Sequence, residues 1–163
     1  NRVFPGPGRL NPAGLAFYDR LVDDLLAAGI EPWLTLFHWE TPAWLERLGG
    51  FRVRAAADHF ERFAEAAARV LGDRVKRWIT VNEPLVYAAW GYVIGEYVPG
   101  RRWDLRGMFR AAHHLLVAHN RAAAVAIGPS PTRPASNTST RNPASLMIGT
   151  TTQPTWPPGS EPA

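Results

Sequence analysis

The chain of 163 residues contains no cysteine. That absence removes thiolate nucleophiles, zinc ribbons and disulfide scaffolds together. Long apolar runs are also missing. Ahead of residue 128 the longest uncharged stretch, Pro84 to Gly95, has 12 residues, against the roughly 20 that a membrane-spanning helix requires. Neither a bilayer span nor a membrane partner is expected. The opening residues, Asn-Arg-Val-Phe-Pro-Gly-Pro, carry no initiating methionine and no apolar signal core. The chain therefore reads as beginning in mid-protein, with a cytoplasmic setting expected. Lysine is nearly absent, since 17 of the 18 basic residues are arginine. Most arginines alternate with acids, as in Asp19, Arg20, Asp23, Asp24 and in Glu61, Arg62, Glu65, Arg69, the pattern of a solvated helix face. Only Arg101, Arg102, Arg106 and Arg110 cluster. No nucleic-acid reader motif accompanies them, and no nucleic-acid partner is expected.

What is present is the composition of a globular protein, 46% hydrophobic and 20% charged. Asn11-Pro12 has the form of a helix start, a capping side chain followed by proline at the first helical position. Leu15, Tyr18, Leu21, Val22, Leu25 and Leu26 then recur at helical spacing up to Gly29. Residues 32–38, Pro-Trp-Leu-Thr-Leu-Phe-His, form a short apolar run that predicts a strand buried on both faces. Phe60, Phe63, Ala64, Ala67, Val70 and Leu71 predict a helix over about 54–71, closed by Gly72. A second strand is predicted over 75–81, then a long loop, then a helix from about 105 to 127 capped by Asp104. Val3-Phe4 reads as the end of an earlier strand.

This βαβα succession implies parallel strands with helices packed outside them. A doubly wound sheet would announce a nucleotide site by a Gly-rich turn after a strand, and neither strand has one. A (β/α)8 TIM barrel places its chemistry at the C-terminal strand ends, where His38-Trp39-Glu40 and Asn82-Glu83 fall. The expected fold is therefore α/β, a partial barrel of about two β/α units plus the end of the preceding strand, over residues 1–127. From Gly128 the pattern stops. The last 36 residues hold 8 Pro and 12 Ser or Thr, so 128–163 is expected to be a disordered tail or out of frame.

Glu83 is the most informative acid. A carboxylate ending a buried strand, beside an amide and before a proline, is expected in a crowded, partly dry mouth suited to a general acid. The plainer alternative is a capping or salt-bridged glutamate. His38 and Trp39 offer an imidazole and an indole N–H at the neighbouring strand end, a combination that suits a sugar and equally a satisfied core. His113, His114 and His119 are separated by one, five and six residues. A dimetal pair on a helix wants three or four, so packing is expected of them. Trp33 and Trp78 lie mid-strand and are expected in the core.

The runs Thr-Leu-Phe-His-Trp-Glu-Thr-Pro (35–42), Trp-Ile-Thr-Val-Asn-Glu-Pro (78–84) and Ala-Ala-His-His-Leu-Leu-Val-Ala-His (111–119) resemble family 1 of the glycoside hydrolases, the β-glucosidases and their relatives. Arg2 to Pro5, Gly91-Tyr92 and Pro99-Gly100 extend the resemblance over about residues 1–127. The resemblance implies retaining hydrolysis of terminal β-glycosides, with no metal or organic cofactor. By the same resemblance Glu83 matches the general acid/base, Asn82 the contact to the sugar 2-hydroxyl, and His38 and Trp39 contacts to hydroxyls of the nonreducing sugar.

Three features depart from the family pattern. Leu85 stands where many members carry a tryptophan that helps form the aglycone platform, Glu40 where Asp is common, and Tyr97 where His is frequent. Nothing in the chain matches the family's Thr-Glu-Asn-Gly type nucleophile motif, and only Glu40 and Glu96 are nearby acids to weigh as substitutes. Retaining hydrolysis needs two carboxyl groups about 5 to 5.5 Å apart, so the chain alone is expected to be inactive. A non-catalytic carbohydrate-binding or interaction fragment is the alternative.

Overall fold

A computed structural model describes residues 2–127. The expectations for 128–163 lie outside the described residues. Chain order runs α1 (Pro12–Ala27), β1 (Trp33–Phe37), α2 (Ala43–Arg47), a 3-10 turn (Gly50–Arg52), α3 (Ala55–Leu71), β2 (Arg77–Val81), α4 (Pro84–Ala89), a π turn (Trp90–Ile94) and α5 (Leu105–Ile127). The fold is α/β, with β1 and β2 paired in parallel and joined by a helical crossover. No described helix is long and apolar enough to cross a membrane.

Local chemistry accounts for the helix ends. Proline opens α1, but the Asn11 side chain does not cap it. Its Nδ2 donates instead to the Arg2 carbonyl at 2.8 Å. That carbonyl crosses α1 so closely that a Cβ at position 14 would lie 2.0 Å from it, which only Gly14 avoids. At the other end Gly29 turns with φ +73. Ile30 N–H reaches back to the Leu25 carbonyl at 2.9 Å, closing a Schellman turn. Asp104 caps α5 as expected, its Oδ1 accepting the Gly107 N–H at 2.7 Å.

Several expectations are corrected. Val3-Phe4 forms no strand among the described residues, because its carbonyls are taken elsewhere. Val3 O accepts the Asn11 N–H at 2.7 Å, and Phe4 O accepts the Trp44 indole N–H at 2.9 Å. The second strand starts at Arg77 rather than at residue 75, since Val75 N–H still bonds the Leu71 carbonyl at 2.8 Å in the turn that ends α3. The stretch after Glu83, expected as loop, begins with α4 and the π turn, where Pro84 starts the helix and Tyr87 and Tyr92 are fully buried.

Burial of β1 on both faces is not realised either, for only Leu36 and Phe37 are buried and Trp33 is 64% exposed. Trp33 belongs to a surface group. The Arg77 guanidinium sits 5.8 Å from its ring centre, and its indole N–H donates to Glu31 at 3.4 Å. Nor is the acidic face of α1 simply solvated: Asp19 and Asp23, one turn apart, both pair with Arg74 in the turn after α3.

The core sits where small residues let helices approach. Ala56, Ala57, Ala64 and Ala67 of α3 meet Ala111, Ala118 and Leu115 of α5 in one buried cluster. The aromatic rings of Phe37, Phe51, Phe60 and Tyr87 fill the space beside it edge to face, with Phe37 5.1 Å from Phe51 and 5.2 Å from Tyr87. Leu115 is fully buried while its neighbour Leu116 is 52% exposed. Leu115→Ala is therefore expected to destabilise the chain by about 2–5 kcal/mol, and Leu116→Ala by less than about 0.5 kcal/mol. Urea unfolding of the two variants checks the assignment, and equal midpoints would contradict it.

Candidate active site

Parallel pairing with Phe37 opposite Val81 makes the residues that follow the two strands emerge side by side. The pairing runs one step further, since Asn82 N–H donates to the Phe37 carbonyl at 2.9 Å. His38 and Trp39 thus meet Asn82 and Glu83 at one end of the sheet. All four predicted site residues come together there.

Asn82 is the hub. Its Nδ2 donates to Glu83 Oε2 at 3.3 Å and lies 3.4 Å from His38 Nε2. Its carbonyl accepts the Trp39 indole N–H at 2.9 Å across 43 residues of sequence. The indole N–H that the sequence offered for a sugar hydroxyl is thus already bonded within the chain. Tyr97 stands against that ring at 5.4 Å and against Trp90 at 5.7 Å, forming an aromatic file beside the strand ends.

Two of the four residues hold strained backbone. Trp39 has φ 69 and Glu83 has φ 44. Each such non-glycine conformation costs on the order of 1–3 kcal/mol and persists only where flanking contacts over-determine it. Glu83 is held between the strand ladder at Asn82 and Pro84, which opens α4. The residue is exposed, so the dry surround expected for it is not built by the described residues. An open cleft of about 1220 Å³ runs beside β1, lined near the strand end by His38, Trp39, Glu40 and Tyr97, and Asn82 and Glu83 are not among its walls. Glu40 and Glu96 are exposed.

The α5 histidines have other work. His114 Nδ1–H donates to the Phe51 carbonyl at 2.8 Å, and His119 Nδ1 lies 2.5 Å from Thr80 Oγ1, which ties α5 to the crossover and to β2. His113 is exposed. No three His, Cys, Asp or Glu side chains among the described residues are grouped to hold a metal ion.

One polar group escaped the sequence reading. Thr41 Oγ1 lies 2.9 Å from the Tyr87 hydroxyl, which donates to Glu46 Oε1 at 3.5 Å. Burial pushes the Glu46 carboxyl above its usual value, against the opposing pull of hydrogen bonds from Thr41 and Tyr87 and of Arg101 and Arg52. Burial likewise raises the Tyr87 and Tyr92 phenols. Leu45-Glu46-Arg47 looks like any solvated helical turn, so only the meeting with Tyr87 across 41 residues reveals the acid's position.

The Glycosyl hydrolase family 1 model matches residues 1–136. The chain thus belongs to glycosyl hydrolase family 1. It is 46% identical over 125 residues to β-glucosidase A of Thermotoga maritima, covering 76% of this chain and 28% of that protein. It is 51% identical over 119 residues to the thermostable β-glucosidase B of Thermobispora bispora, covering 72% of this chain and 24% of the relative. The solved structure of the Thermotoga maritima β-glucosidase with deoxynojirimycin aligns at a TM-score of 0.75 and 43% identity, over 80% of this chain and 29% of that one. The chain accordingly spans about a quarter of the length of the curated relatives it matches.

Glu46 yields a signed prediction. Its folded-state value lies above the unfolded 4.5, so its stabilisation is complete below that pH and is lost as pH rises through the folded value. A glutamine never ionises and still offers Tyr87 an oxygen. Glu46→Gln should therefore match the parent in urea midpoint below about pH 4 and exceed it at about pH 7. A variant less stable than the parent at neutral pH would contradict this.

Proposed function

We propose that this chain is the segment of a retaining β-glycosidase that carries its general acid/base, and that residues 1–127 hold two β/α units of a (β/α)8 barrel. Membership of glycosyl hydrolase family 1 supports glycoside hydrolysis. The observation that carries the finer reading is the junction of Glu83, Asn82, His38 and Trp39 at adjacent parallel strand ends.

In this mechanism Glu83 protonates the glycosidic oxygen as the bond to the anomeric carbon breaks. A second carboxylate about 5 to 5.5 Å away forms the glycosyl intermediate, and Glu83 then takes a proton from the attacking water. Asn82 presents its amide to the 2-hydroxyl. His38 binds a hydroxyl of the nonreducing sugar, and the Trp39 ring gives that sugar an apolar surface, its N–H being held by Asn82. The second carboxylate lies in the part of the enzyme this chain does not match, and the same part supplies the walls that dry the site. Leu85, 69% exposed and two residues past Glu83, replaces an aromatic platform by a small apolar one on the leaving-group side.

The purified 163-residue chain is expected to release no nitrophenol from an aryl β-glucoside. Turnover that Glu83→Gln abolishes would contradict the need for a second carboxylate from elsewhere. The assignment of Glu83 is tested in a chimera, with the aligned 76% of this chain replacing its counterpart in the Thermotoga maritima β-glucosidase A. There Glu83→Gln should lower kcat/KM by about 10²–10⁴-fold. An active chimera indifferent to the substitution would refute the role.

A further inference from the structure

Two straps join the strand-end segments. One is the Trp39 indole bond to Asn82 at the mouth. The other lies beneath it, where Thr41, three residues past His38, meets the Tyr87 hydroxyl at 2.9 Å. Tyr87 is four residues past Glu83, and its N–H donates to the Glu83 carbonyl at 3.1 Å. The strained residues Trp39 and Glu83 thus each lie between the β1–β2 ladder and this lower contact. We propose that Glu46 is a positioning residue which, through the Tyr87 hydroxyl and Thr41, holds the segment after β1 against α4 and thereby fixes His38 and Trp39 relative to Asn82 and Glu83.

The surroundings leave this contact little freedom. Tyr87 is fully buried, with its ring 5.2 Å from Phe37 and 6.2 Å from Phe51, so its hydroxyl has one direction to point. The carboxylate rests on bare backbone: a Cβ at Gly50, where φ is +56, would come within 2.7 Å of both Glu46 oxygens. Arg52 and Arg101 face Glu46 as counter-charges, and Arg52 is also 3.6 Å from Asp104. The Tyr92 hydroxyl is buried with no hydrogen-bond partner among the described residues. A carboxylate seated on a glycine and met by the hydroxyl of a fully buried phenol is a point against which both segments are set.

The inference rests on the site reading above, but its test does not read turnover. In the labelled full chain, hydrogen exchange of the Trp39 indole N–H reports the mouth contact, and that of the Trp78 indole N–H on β2, bonded to Val75 O at 3.1 Å, reports the fold at large. Tyr87→Phe keeps the ring and removes the hydroxyl; it and Glu46→Ala should each speed Trp39 exchange about tenfold, the worth of one hydrogen bond, and leave Trp78 within about twofold. Glu46→Gln, which keeps the acceptor, should restore the parent rate.

Three results would overturn the role: no change at Trp39 in Tyr87→Phe, equal acceleration of both indoles, or a glutamine variant that behaves as the alanine one. Should Glu46→Ala fail to fold, Tyr87→Phe decides alone. Failure of Glu83→Gln in the chimera would remove the catalytic reading and leave this linkage standing, and unchanged exchange would do the reverse.

Discussion

The parallel pairing of residues 33–37 with residues 77–81 is the constraint on which the rest depends. Parallel strands need a long crossover, and here that crossover carries α2 and α3, whose alanine face in turn seats α5. Because both strands run the same way, the chain leaves each at the same end of the sheet. A pairing shifted by one residue would turn every side chain to the other face and part Asn82 from Phe37. The register therefore decides both what is buried and which polar groups meet.

Polar contacts then do what packing alone cannot. Asn82 spends its carbonyl on Trp39 and its amide on Glu83, so one side chain and its own backbone order the whole strand-end group. The positive φ values of Trp39 and Glu83 are held on both sides by such contacts. Below them the Glu46 carboxyl tolerates burial because Thr41, Tyr87 and two arginines face it. These groups link residues more than 40 positions apart, which makes them properties of the assembled fold.

Element positions were largely legible. The 3.6-residue recurrence of Phe60, Ala64, Ala67 and Leu71 locates α3 to within one residue, and Asp104 marks the start of α5. What misled were signals with two physical solutions. Asn11-Pro12 is a helix start whether or not the amide caps it, and Arg2 O proved the better partner. Trp33 reads as core on its neighbours' hydrophobicity, yet Arg77 and Glu31 hold it at the surface. The helix after Glu83 was hidden because aromatic and glycine residues over 90–95 resemble loop, although Tyr87 and Tyr92 are buried there.

From sequence came the strands, the three long helices, the four residues of the candidate site and the family to which they belong, because periodicity and short motifs are local and survive without neighbours. Folding decided what those residues spend their hydrogen bonds on. The Trp39 indole donates inward to Asn82, Glu83 stands exposed rather than enclosed, and the half-buried Glu46 meets the Tyr87 hydroxyl. Each outcome turns on which distant group arrives within about 3 Å, and no local pattern of residues encodes that distance.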